Sequence, residues 1–182
     1  MIQTIHIGRL LRESVSGPYR NLVTRPTGAA IRGRIQETLA ESDCLTTLLD
    51  FSGIELLDFS CADEVVAKLL LADDGRGGRF VVLQGLREDQ HEAIEHVLTH
   101  HRLAVAAVAP GQEHESPRLL GWVTPDGRAA FRCICERGAV SAHDLAAALD
   151  WAVARGEAAL EALAIHRLIR SEHGRYHPLP IG

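Results

Sequence analysis

The chain has one lysine, Lys68, against 18 arginines. Any mechanism that needs a second lysine is thereby excluded. Long hydrophobic runs are also missing. Residues 65–71 are interrupted by Lys68, and residues 103–109 make an apolar run of only seven. Both fall short of the roughly 20 residues that span a bilayer, so no membrane partner is expected. The first 14 residues, MIQTIHIGRLLRES, lack the apolar stretch of a secretory signal. The expected location is therefore cytoplasmic. Cysteine is sparse, at four residues in 182 (Cys44, Cys61, Cys133 and Cys135), which excludes a disulfide-built miniprotein and predicts reduced thiols. Positive charge is in deficit, with 19 basic against 24 acidic residues and a formal charge of −5. That balance gives no global attraction to nucleic acid or an anionic membrane.

What remains is an ordinary globular composition, 46% hydrophobic and 24% charged. It excludes a wholly disordered or collagen-like chain. Residues 1–109 alternate strand-like and helix-like segments. Ile2, Ile5 and Ile7 open on a β-prone stretch. A helix is predicted over residues 28–41, capped by Thr27, with Ala30, Ile31, Ile35 and Leu39 as its apolar stripe. Residues 45–51 read as a buried strand. Residues 60–71 read as a helix with Ala62, Val65, Val66, Leu69 and Leu70 inward. The Gly-rich stretch 73–78 reads as a turn, since it follows a helix and precedes a strand, the reverse of a phosphate loop. Strand 80–83, helix 87–100 and strand 103–109 complete an alternating pattern that predicts an α/β class with a layered, parallel or mixed sheet.

Residues 110–117, with two prolines and a glycine, read as a linker. Beyond it, residues 118–182 predict helices at 126–137, 141–151 and 157–168. Gly138 ends the first, and Ser141 caps the second with Asp144 in its first turn. A turn is expected around 154–156. Strand, turn and strand then close the chain. Three helices followed by a hairpin is the order of a winged helix, an α+β arrangement. The expectation is an α/β domain over 1–109 and a small winged-helix domain over 118–182.

The stretch LLDFSGIELLDFSCADEVVAKLL, residues 48–70, resembles the STAS fold of bacterial anti-sigma-factor antagonists: an apolar strand, a turn, an Asp-Ser-Ser-Gly-like motif and a helix. That motif is here Asp58-Phe59-Ser60-Cys61. Ser60, Ala62, Asp63 and Glu64 are similar to the Ser-Phe-Ala-Asp-Glu pattern of STAS-like bacterial domains, with Cys61 in place of Phe. Arg25 lies where those domains often carry arginine. The resemblance covers about residues 20–108 and implies a protein partner bound around Asp58, Phe59, Ser60, Asp63 and Glu64. In phosphoswitch members the serine directly after the aspartate is phosphorylated. Here that position is Phe59, and Ser60, next in line, is the candidate phosphoacceptor. The alternative is an unmodified serine at a helix start, with Asp58 and Asp63 opposing a phosphate. The second half resembles bacterial winged-helix domains, residues 140–149 as their second helix and 167–179 as their wing.

Other constellations carry less. Asp50 ends a strand as a phosphoaspartate does in a receiver. That reading fails because Gly8-Arg9-Leu10-Leu11 follows the first strand where an acidic pair is needed, and Lys68 lies in the wrong element. Glu92, His96 and His100 fall one helical turn apart and read as a solvated polar face, so no metal site is expected; metal ligation by these three is the weaker alternative. Cys133 and Cys135 point in different directions on a helix and read as apolar filler. No Ser-His-Asp or Cys-His arrangement is legible, so neither enzyme chemistry nor a cofactor is expected. On the third C-terminal helix the predicted outward residues are Glu157, Ala158, Glu161, Ala162 and His166, where a DNA reader would expose Arg, Lys, Asn or Gln. The candidate DNA-backbone contacts are Arg170, His173, Arg175 and His177 in the wing. The resulting expectation is a non-enzymatic bacterial regulator with a protein partner and a winged-helix output, able to form a homodimer. The alternative is a DNA-binding transcription regulator with the first half as sensor or dimeriser.

Overall fold

The computed structural model describes residues 1–15, 19–73, 78–112 and 115–181. The expected turn at 73–78 and linker at 110–117 therefore fall partly outside the described residues. The elements run β1 (Ile2–His6), α1 (Ile7–Ser14), β2 (Asn21–Leu22), α2 (Arg25–Ala40), β3 (Thr46–Asp50) and β4 (Leu56–Leu57). Then follow α3 (Phe59–Ala62), a π-helical stretch (Asp63–Ala67), α4 (Lys68–Ala72), β5 (Phe80–Gln84), α5 (Glu88–His101) and β6 (Ala104–Val108). The chain ends with β7 (Arg118–Gly121), α6 (Pro125–Arg137), α7 (Ala142–Leu149), α8 (Val153–Ile165), β8 (Arg170–Glu172) and β9 (Arg175–His177).

The fold is mixed α/β around a sheet of order β1-β3-β5-β6-β7, parallel except for β7. Its register explains why the strands are apolar throughout. Ile5, Leu49, Leu83 and Ala107 lie side by side across the sheet and belong to the core beneath α1, α2 and the 59–101 helices. One residue away, Leu48, Val82, Ala106 and Leu119 form the next row. They belong to a second core shared with Phe131, Ile134, Leu145, Leu160 and Leu163 of α6–α8. Successive side chains point to opposite faces, and here both faces are covered, so polar alternation is absent.

β7 lies beyond the 110–117 stretch yet is the fifth strand of the sheet. The stretches expected as separate domains thus share a sheet and a core. The C-terminal tail adds to this: Leu179 and Ile181 are buried, and Thr46 Oγ1 donates to the Pro180 carbonyl at 2.9 Å. After β7 come three helices and a two-stranded antiparallel ribbon, with Val140 bridging to Tyr176 of β9.

Several boundaries differ from expectation. α1 follows β1 directly, with Ile7, Leu10 and Leu11 buried, and escaped the sequence reading. α2 begins at Arg25, with Thr24 rather than Thr27 at the N-cap. Pro26 in its first turn has a fixed φ that suits that place. α8 begins at Val153, so the turn expected at 154–156 is its first turn. Asp150, at φ 55°, ends α7 instead, and Gly156 packs against the Ala142 carbonyl. Ser141 and Asp144 form the expected capping box. Among the described residues no helix is long and apolar enough to cross a membrane.

Candidate functional site

A groove of about 530 Å³ opens between α5 and the start of α3. Phe59, Ser60 and Asp63 form one wall, and His96, Val97, His100 and His101 the other, with Arg25 at one end. Three of the five partner-binding candidates therefore line it. Of the other two, Asp58 is half-buried and Glu64 is buried.

Asp58 is the N-cap of α3. Its Oδ1 accepts from Cys61 N at 2.7 Å and from Ser60 Oγ at 2.8 Å. Its Oδ2 accepts from Thr24 N at 3.0 Å, which fastens the start of α2 to the start of α3. Burial alone would raise its pKa, but these donors hold it below the ordinary carboxylate value. Ser60, expected at the helix start, is two residues past the cap, and its hydroxyl donates to the capping carboxylate.

Glu64, expected on the partner surface, is 2% exposed. Its Oε1 accepts from Arg25 at 2.8 Å and from Lys68 at 2.6 Å, and its Oε2 is paired with Arg32. Asp63 Oδ2 accepts from the same Arg25 nitrogen at 2.7 Å, and its Oδ1 meets His101 Nε2 at 2.7 Å. Both carboxyls would be raised by burial, and both are lowered because those hydrogen bonds and charges outweigh it. The π-helical stretch adds a residue to the turn, a distortion common at functional sites. Here Asp63 bridges Arg25 of α2 and His101 of α5, and Glu64 faces α2. It also widens the buried face to Cys61, Ala62, Glu64, Val65, Val66 and Ala67, while Leu70 of the expected stripe is only half-buried. α2 comes close enough for this because Gly28 faces it: a Cβ there would lie 2.9 Å from the Glu64 Cβ and 3.1 Å from the Cys61 Cα.

Cys61 Sγ donates to the Thr24 carbonyl at 3.0 Å. Burial, followed by the Asp58 charge and hydrogen bond, pushes its thiol up to about 12, which favours the protonated form. Phe59 does the opposite of its neighbours. It is 58% exposed and packs on the His96 ring, with centroids 4.8 Å apart and planes tilted 37°. His100 meets His101 edge-on at 5.2 Å. Gln90 steadies the α5 wall. It is buried, donates to the Ile54 carbonyl at 2.9 Å and accepts from Arg87 N at 3.0 Å.

The weaker candidates are not assembled into sites. Glu92, His96 and His100 lie exposed along α5, and His96 is turned onto Phe59. Among the described residues no group of three or more His, Cys, Asp and Glu side chains is placed to hold a metal. Asp50 is paired with His6 Nδ1 at 2.9 Å and accepts from Ser52 N at 2.9 Å. Cys133 is buried and Cys135 half-buried, and burial raises both thiols.

In the ribbon, Arg175 donates to the Ala139 carbonyl at 2.8 Å and lies 3.6 Å from Asp144. Arg170 sits 3.6 Å from Glu172. His173 is exposed at the turn and His177 half-buried. On α8 the outward residues include Glu157, Ala158, Glu161 and Ala162, as expected. His166 is half-buried, and Ile165, 78% exposed, takes its place.

The sequence reading missed Arg32, Lys68 and His101 as members of the cluster. The four-residue spacing of Glu64 and Lys68 is the one signal that could have shown part of it. No protein-family model, curated protein or solved structure matches this chain.

Proposed function

We propose that the protein is a non-enzymatic, cytoplasmic regulatory protein that binds a protein partner through the groove at Phe59. Its three-helix and ribbon segment, read as a winged helix, is the output or interaction module. The observation that carries this reading is the exposure of Phe59. An aromatic ring held by His96 at the mouth of an open groove is a surface anchor of the kind that dominates protein interfaces. The resemblance of residues 20–108 to STAS-like domains points to the same surface, and the order of strand, Asp58 motif and helix is consistent with it. Asp58, Cys61 and Glu64 are all engaged internally, which favours binding over chemistry at this place. Exposed Glu157 and Glu161 on α8 favour a protein contact over a DNA contact for the second half.

The test replaces Phe59 with a photo-crosslinking phenylalanine in the native host, with the same residue at exposed Ile165 as control. A discrete protein adduct from position 59 but not from 165 is expected. The absence of any protein adduct at 59 overturns the reading.

A further inference from the structure

We infer that the groove between α5 and the start of α3 takes an acidic segment of the partner, with an apolar side chain on Phe59 and a carboxylate between Arg25 and His100. This rests on the protein-partner reading and adds the partner's chemistry.

The argument starts from which polar atoms the groove presents. Asp63 is the one carboxylate lining it, and each of its oxygens already has a partner, one in Arg25 and one in His101. The Ser60 hydroxyl donates away from the groove, to Asp58. Arg25 serves both Asp63 and Glu64 through Nη1 alone, and its side chain is 51% exposed. Its Nε and Nη2 make no hydrogen bond among the described residues, and a guanidinium fork matches a carboxylate in shape. His96 and His100 are exposed on the opposite wall. Among the described residues the groove thus offers the remaining Arg25 N–H groups and one N–H from each exposed imidazole, while its carboxylate is already satisfied, and these donors suit a ligand carboxylate.

These groups are also held in place before a ligand arrives. Asp63 fixes His101, His101 supports His100 edge-on, and Phe59 supports His96. A prearranged set loses less side-chain freedom on binding. Phe59 and Val97 supply the apolar part. The chain as a whole carries −5, so long-range attraction does not bring an acidic partner. The recognition is local, made by the Arg25 N–H groups left over from Asp63 and Glu64 and by the His100 imidazole N–H.

The experiment selects short random linear peptides, displayed on phage, against the full-length protein. Enriched sequences are then synthesised with a fluorescent label and measured by anisotropy. The expected peptides carry an excess of Asp and Glu beside an apolar residue. Phe59→Ala is expected to weaken them about tenfold, and Arg25→Gln or His100→Gln by a few-fold. Phe59 and His100 are exposed, so their variants keep the fold, which circular dichroism checks. Neutral or basic enriched peptides, no enrichment, or affinity unchanged in Phe59→Ala overturns the inference. Binding of N-acetyl-glutamate as tight as the peptide also overturns it, since the groove would then be a small-anion site. A partner crosslinked at position 59 through a neutral or basic segment overturns this inference and leaves the partner reading standing. Acidic peptides without any crosslinked partner do the reverse.

Discussion

Asp63 Oδ1 and His101 Nε2 meet at 2.7 Å, and this contact joins the last turn of α5 to the π-helical stretch. It fixes one wall of the groove against the other. His101→Ala is expected to lower stability by about 1 kcal/mol, the scale of one partly exposed hydrogen bond to a charged group. Urea unfolding measures this. Phe59→Ala, which touches no such contact, is expected to stay within about 0.5 kcal/mol of wild type.

Glu64 is compensated by Arg25, Arg32 and Lys68. Glu64→Ala leaves three cations without their shared anion. A loss of about 2 kcal/mol is expected, less than for a fully buried pair because Arg25 and Lys68 keep solvent contact. The same denaturant titration reads it.

Glu64 and Asp63 have lowered pKa values in the folded protein. Their contribution is therefore complete above the unfolded values near 4 and is lost as pH falls through the lower folded values. The urea midpoint is expected to drop below about pH 4.5, and Glu64→Gln is expected to flatten that drop. A variant as acid-sensitive as wild type would assign the pH dependence to other carboxylates.

Gly121 has φ 102°, and a Cβ there would lie 2.2 Å from the Leu103 carbonyl oxygen. Gly121→Ala is expected to cost about 3 kcal/mol, because backbone strain and a backbone clash add. Gly28→Ala, which crowds Glu64 and Cys61, is expected to cost about 1 to 3 kcal/mol. Thermal unfolding ranks the two.

Ser60 lies in the groove wall with its hydroxyl on Asp58. If Ser60 is a switch, Ser60→Asp should change binding at the Phe59 surface. The crosslinking yield of the doubly substituted protein reads this, and an unchanged yield removes the switch.

Duplex DNA of random sequence, titrated with the full chain at low and moderate salt, is expected to show no binding that weakens steeply with salt. Glu157 and Glu161 face outward on α8, and Arg175 is engaged by Ala139 and Asp144. Micromolar, strongly salt-dependent binding would indicate phosphate contacts and restore the transcription-regulator reading.

Hydrophobic periodicity is a local property, so the sequence alone determined most elements and their type. Val65, Val66 and Leu69 mark a helix, 45–51 and 103–109 mark buried strands, and Ser141 with Asp144 marks a helix start. It determined too that the α/β pattern is layered. Tertiary structure decided what covers the second face. Leu48 and Leu49 look alike in a list of residues, yet one faces α6–α8 and the other α1–α2, because the sheet register sends alternate side chains to opposite sides. It also placed Arg118–Gly121 in the sheet of the first half, since pairing with β6 is a long-range event that no local pattern announces. The site shows the same division. Asp58, Phe59, Ser60, Asp63 and Glu64 were legible as a contiguous motif. Which of them line the groove was not, because burial of Glu64 depends on Arg25, Arg32 and the absence of a side chain at Gly28, all 30 to 40 residues away in sequence. Within the π-helical stretch Asp63 and Glu64 share Arg25, but only Asp63 reaches His101 of α5 and only Glu64 reaches Arg32 of α2, contacts that depend on how α2 and α5 pack.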